Sequence, residues 1–293
     1  MVKVRRHAYT LIEIIITIAI TGILSIGMFK AFEAITLRSE KAKILTTLSL
    51  DSQSALDQLS LMLYNRAPMS LKGCTNTLDC VLLDEATTNK TILQWYGTAS
   101  ESYLAGTYSG FIDLDNSQTD RATKTLYTPN TFKITFENNQ SAKWHRTFNI
   151  NDLGLIFAGS FENGIANEAY KINSINNNLI QLADTTTIDT IYEKYYLVDT
   201  AYAVTRKADV KTLSCPNLPT NINDNTLLLF YDYRPWNNEN FCANGKISIL
   251  SLNVNAFNAR LINGTIRLGI DMNATAGKMT ANPVRLSKQK VVF

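Results

Sequence analysis

The chain has 293 residues, 45% of them hydrophobic and 18% charged, which is too apolar for a disordered protein and too mixed for collagen or a coiled coil. Its formal net charge of +3 sits at one end: Lys3, Arg5 and Arg6 fall in the first eight residues, where no acid does, and the remaining bases balance the 25 acids. A nucleic-acid binder would carry its basic excess on a folded face, so this distribution argues against one.

Tyr9 to Phe29 reads Y-T-L-I-E-I-I-I-T-I-A-I-T-G-I-L-S-I-G-M-F, with Glu13 as its single charge. As an α-helix rising about 1.5 Å per residue it spans roughly 31 Å, the thickness of a bilayer core. The basic residues just before it place the N-terminus in the cytoplasm and send the chain beyond Phe29 across the membrane. A secretory signal would show small residues at −3 and −1 after its apolar core, and Ser25-Ile26-Gly27-Met28-Phe29-Lys30 offers a poor site. No cysteine lies near enough for a lipid anchor.

Neither a signal peptide nor a plain anchor explains Glu13. A carboxylate at the centre of a spanning helix costs about 2.5–3.5 kcal/mol on insertion scales, so it wants a partner. The first turn of a helix is where a negative charge is best placed. If the chain is cut just before Tyr9, the new α-amino group begins the helix four residues ahead of Glu13. A neighbouring subunit's Glu13 can then reach it.

From Lys30 to Asn65 there is neither Pro nor Gly, and good helix formers dominate. Leu45, Leu48, Ala55, Leu56, Leu59 and Leu63 recur at helical spacing, which predicts an apolar stripe docked on a core. Arg66-Ala67-Pro68 ends the helix, and only Gly22 and Gly27 loosen it earlier. Beyond it, apolar runs at Thr131–Phe136, Trp144–Ile150, Leu153–Ala158, Ile191–Val198, Thr226–Tyr233, Lys246–Phe257 and Thr265–Met272 are separated by Asn, Asp, Gly and Pro. They read as antiparallel strands joined by turns. Leu71 to Asn130 is less periodic and reads as a variable insertion between helix and sheet.

Cys74, Cys80, Cys215 and Cys242 read as disulfides in an exported domain, most simply Cys74–Cys80 and Cys215–Cys242, although four cysteines allow three connectivities. Their spacing is not that of a zinc ribbon, so no metal is expected. Asp113, Asp115 and Asp120 lie in a polar loop with Gln118 where an EF-hand needs Gly, which reads as a solvated acidic loop. Glu137–Ser141 and Asp271–Thr275 fit an acidic-extended glycosylation sequon, a match that arises easily by chance in a chain with 29 asparagines. Tyr231, Tyr233, Trp236 and Phe241 cluster near Cys242 and read as packing. His7 and His145 are the only histidines, so a His-rich metal site cannot be built, and no nucleophile-elbow, P-loop or dinucleotide motif is present. The chain is expected to be no enzyme and to need no cofactor.

The stretch from Arg5 to Leu24, R-R-H-A-Y-T-L-I-E-I-I-I-T-I-A-I-T-G-I-L, resembles the N-termini of type IV prepilins and of the pseudopilins of type II secretion. In that family a membrane prepilin peptidase removes a short basic leader after a small residue. By position the resemblance implies cleavage between Ala8 and Tyr9, N-methylation of Tyr9, and Glu13 as the subunit-assembly residue. Ala8 stands where Gly is usual and Tyr9 where Phe is usual. The implied fold is α+β and pilin-like: a long N-terminal transmembrane helix whose C-terminal half packs on an antiparallel β-sheet head. That divides the chain into a leader (1–8), a long helix (9–65, membrane-spanning over 9–29) and a β-rich periplasmic head (66–293).

A head of this size resembles minor subunits more than major ones. The S-A-L-D-Q-L-S-L-M-L-Y-N ending of the helix resembles J-type minor pseudopilins and W-type minor pilins, while Glu13 argues against the K-type. The resemblance implies a structural subunit that initiates or caps a filament. Its expected partners are other minor and major (pseudo)pilins, the prepilin peptidase and an inner-membrane assembly platform. A filament-tip adhesin or a substrate- or DNA-binding subunit is the alternative, which leaves nucleic acid open.

Overall fold

The computed structural model describes residues 10–83, 90–104, 106, 108–129, 143, 148–158, 168–183, 188, 190–213, 215–262, 264–276 and 279–293. It opens on one helix, α1 (Leu11–Tyr64), 54 residues without a break and about 81 Å long. Thr10, in extended conformation, caps its start. Its end is set by the sheet: the Asn65 carbonyl accepts from both the amide and the hydroxyl of Thr98, each at 2.9 Å. Those bonds satisfy a carbonyl that the helix itself leaves without a partner.

The head contains two antiparallel sheets. The larger is built from β1 (Lys72–Cys74), β2 (Cys80–Leu82), β3 (Ile92–Thr98), β4 (Thr125–Tyr127), β5 (Gly154–Phe157), β6 (Tyr170–Asn176), β7 (Leu179–Leu182), β8 (Tyr195–Arg206), β9 (Leu227–Tyr233) and β10 (Lys246–Ser251). Its order is β2-β1-β3-β8-β5-β6-β7-β4, with β9 also paired to β8 and β10 to β9. The 12-residue β8 is the spine: β3 runs along one edge, and β5 then β9 take successive parts of the other. The smaller sheet is the meander β11 (Val254–Ile262), β12 (Thr265–Ala276) and β13 (Met279–Val292).

Core formation follows from side-chain alternation. On β12, Ile266, Leu268, Ile270 and Met272 point to one face and are buried against Leu48, Leu56, Leu59 and Leu63 of α1. Leu93, Trp95, Val204, Leu227 and Leu229 of the larger sheet close the same core. The expected helical stripe is buried except for Leu45, which is 42% exposed. Ser52 lies within the stripe, its hydroxyl donating back to the Ser49 carbonyl at 3.0 Å.

The opposite face of β3, β8 and β9 buries Tyr96, Ala201, Ala203, Phe230 and Tyr233 under Trp236 and Phe241. A third core gathers Leu126, Phe148, Leu155, Phe157, Ile180 and Leu197 around β5 to β7.

The α+β organisation read from the sequence is therefore the observed one, with differences of detail. Ile92–Thr98 is no part of an insertion: it is a central strand, buried along its whole length between β1 and β8. The run Lys246–Phe257 is two strands in different sheets, divided where Asn253 takes a left-handed φ of 60°. Thr131–Phe136 and most of Trp144–Ile150 lie outside the described residues, and Ile150 itself opens a short 3-10 turn. The charged strand β13 was absent from the predicted elements.

Candidate functional site

The first candidate site is the N-terminal half of α1. Its apolar window is not buried against the rest of the protein, and α1 is the one helix among the described residues long and apolar enough to cross a membrane. Ala8 and Tyr9 lie outside the described residues. Glu13 stands on the first turn, where its carboxylate accepts from the Thr10 amide at 3.0 Å and the Thr10 hydroxyl at 3.1 Å. This is a capping box, Thr-x-x-Glu, which gives the carboxylate two donors within its own chain. One turn further, Thr17, Thr21 and Ser25 each donate a hydroxyl to the carbonyl four residues back, at 2.6 to 2.7 Å. Their polar groups are thereby satisfied inside the helix, as an apolar medium requires.

The same helix is tied to the head by lysines that enter from an edge. On β13, Lys288 and Lys290 alternate with outward residues and point at α1. Lys288 Nζ donates to the Ser49 carbonyl at 2.8 Å, and Lys290 pairs with Asp57 at 2.5 Å. The Lys290 hydrogen bond, helped by Gln53, holds the exposed Asp57 carboxyl below the usual carboxylate range. Inward charges on an edge strand also discourage further strand pairing.

The cysteines pair as Cys74–Cys80 and Cys215–Cys242. The first bridges β1 to β2 at a directly opposed register position; the second fastens the loop that carries Phe241 over the larger sheet. Near the first, the buried Lys72 is paired with Glu168, and the Tyr96 hydroxyl donates to the same carboxylate at 2.6 Å. Burial, with Glu168 beside it, holds the Tyr96 hydroxyl well above the usual phenol range.

The aromatic cluster expected around Cys242 is core packing for Tyr233, Trp236 and Phe241, whereas Tyr231 faces the helix-side core. Asp113 and Asp120 accept from nearby backbone amides in loop turns, and no group of three potential metal-ligating side chains occurs among the described residues. The Glu137–Ser141 sequon is outside the described residues, and Asp271–Thr275 lies on β12.

Residues 3–29 match the prokaryotic N-terminal methylation motif. The match supports a type IV pilin-like or pseudopilin subunit, a structural rather than catalytic class. Such subunits assemble with other pilins and are processed by a prepilin peptidase, and the apolar helix fits single-pass anchoring in the inner membrane. No curated protein and no solved structure matches the chain.

Sequence reasoning missed the Thr10 partner of Glu13, although the Thr-x-x-Glu spacing ahead of an apolar run signals it. It also missed the lysines of β13. A Lys at an inward strand position has no sequence signature of its own, because its partner is 233 residues away.

Proposed function

We propose that the chain is a minor pilin-like subunit, of the J-type pseudopilin or W-type pilin kind, that initiates or caps a periplasmic filament without catalysis of its own. In this reading residues 1–8 are a leader cut between Ala8 and Tyr9, Tyr9 is N-methylated, 9–29 cross the inner membrane, and 66–293 form the periplasmic head. Glu13 pairs with the cleaved amine of a neighbouring subunit during assembly. The observation that carries the reading is the continuity of α1: one unbroken helix joins an unburied apolar segment to a stripe locked into the head core. Pulling on such a helix moves the head with it, which is what extraction of a subunit from a membrane into a filament requires.

Disulfide-paired cysteines favour an oxidising compartment for the head, in keeping with export. The decisive experiment is co-purification from membranes with other prepilin-like subunits. Recovery of such subunits, dependent on Glu13, is the expected result; a chain that never associates with them would end the proposal.

A further inference from the structure

The outer face of the β11–β12–β13 sheet, turned away from α1, holds a groove that none of the preceding roles uses. It has a volume of about 410 Å³, in the range of small-ligand sites, and its floor is Gly269 in the middle of β12. Asn258 and Gln289 flank that glycine on the neighbouring strands. Arg260 and Arg267 stand directly opposite each other at one end, and Asp271, opposite Ser287, closes the other.

Two features of this face cost stability and have no structural return. Like charges at directly opposed strand positions repel, and neither Arg260 nor Arg267 makes an ion pair or hydrogen bond among the described residues. Glycine inside a strand weakens it. Gly269 does not need to be glycine: its backbone is not left-handed, and an added Cβ would meet Gln289 Cγ at 3.8 Å and Asn258 Cβ at 3.9 Å, ordinary contacts. The missing side chain leaves the groove open between the arginines and Asp271.

We propose that this groove binds an acidic saccharide, with the carboxylate of a uronate held between Arg260 and Arg267. Arginines at directly opposed register positions can both aim their guanidinium forks at the two oxygens of one carboxylate. The amides of Asn258 and Gln289 and the hydroxyl of Ser287 both donate and accept, which suits the hydroxyls of a sugar ring lying over Gly269. Asp271 only accepts, so it asks for a hydroxyl and repels a second anion at that end. It lies four residues from Arg267, about 13 Å along the strand. That polarity disfavours a polyphosphate chain. Among the described residues no aromatic side chain lines the groove, and aromatic anchors are what protein interfaces concentrate at their centres. The proposal stands on this face alone and does not rest on the filament reading.

The test is calorimetric titration of the full chain in detergent with trigalacturonate as the probe. Maltotriose, inorganic phosphate, a hexaglutamate peptide and a short single-stranded oligonucleotide are titrated in parallel. Trigalacturonate is expected to bind, at least about tenfold more weakly after Arg260→Ala or Arg267→Ala. Gly269→Val is expected to abolish binding by filling the groove while leaving the melting temperature no lower, since Val suits a strand better than Gly. The two arginine variants keep the test decisive if the valine does not fold. Absence of trigalacturonate binding, wild-type binding by Gly269→Val, or equal binding of any parallel probe would overturn the proposal.

Discussion

Glu13 closes the first turn of its own helix through Thr10, accepting from that residue's amide at 3.0 Å and its hydroxyl at 3.1 Å. A carboxylate that enters a membrane thus already has two neutral donors in a single chain. Neutral donors satisfy its lone pairs but leave its charge uncompensated, and in the proposed assembly a neighbour's α-amino group would supply what they do not. The cap and the proposed assembly contact are therefore separable functions of one side chain.

Glu13→Gln makes the separation measurable. Glutamine serves a capping box as glutamate does, so helix start, insertion and cleavage should persist. The charge is gone, and breaking one side of a buried ion pair costs about 3–5 kcal/mol. Co-purification of partner subunits should fall by about two orders of magnitude or more. Undiminished recovery would mean that Glu13 serves only its own helix.

Processing is read directly by mass. The proposed leader M-V-K-V-R-R-H-A, which the matched motif overlaps from Lys3 onward, predicts loss of those residues and gain of one methyl group on Tyr9. Intact-mass analysis of membrane-extracted protein checks both. An uncut chain, or a cut beyond Phe29, contradicts the expectation. Ala8→Leu should leave the precursor in the membrane, because the cut requires a small residue there.

The two disulfides should contribute unequally. Cys215 and Cys242 are 27 residues apart and Cys74 and Cys80 only 6, so loop closure assigns about 3.5 kcal/mol to the first and about 2.2 to the second. Denaturant titration of the double Cys→Ala variants gives the order. A larger loss from the short loop would show that strand pairing, not loop entropy, sets the contribution. Thiol labelling of the unfolded, unreduced chain should find no reactive cysteine.

How much of this was legible depended on the range of each signal. The N-terminal apolar segment is one continuous run broken by a single glutamate, and the docked stripe of α1 repeats at helical spacing, so local pattern sufficed. Strand β3 was not legible because Ile92–Thr98 is buried on both faces and does not alternate. Strand β13 was not legible for the opposite reason: Lys288 and Lys290 point inward, which inverts the usual apolar-in, polar-out pattern of a strand. The groove over Gly269 required register, since Arg260 and Arg267 become neighbours only once β11 and β12 are paired.

The Lys290–Asp57 contact gives a pH dependence with a definite sign. Asp57 has a folded-state pKa below its ordinary value, so its contribution is present above the unfolded carboxylate pKa of about 3.9 and is lost as pH falls through the lower folded value. Wild-type and Asp57→Asn chains should melt alike below that window, with a small advantage to wild type above it. The advantage stays small because Asp57 is exposed and water screens the pair. A wild-type advantage that grows as pH falls would contradict the assignment.

The docking of α1 is tested by two leucines one half-turn apart. Leu59 is fully buried beneath β12, and Leu61 on the same helix is 70% exposed. Leu59→Ala removes packed methyl groups from the core shared by α1 and both sheets and should cost about 2–5 kcal/mol. Leu61→Ala should change stability by no more than about 0.5 kcal/mol, since nothing in the head rests on it. Thermal denaturation of the full chain in detergent compares them directly. Because α1 is one unbroken helix from its unburied apolar segment to the head, Leu59→Ala should also loosen the link along which a pull at that segment reaches the sheet. Limited proteolysis reads that effect separately, as earlier cleavage between the N-terminal apolar segment and the head in Leu59→Ala than in Leu61→Ala. Equal melting temperatures and equal cleavage would mean that the lower half of α1 does not hold the head, and the continuity on which the filament proposal depends would be lost.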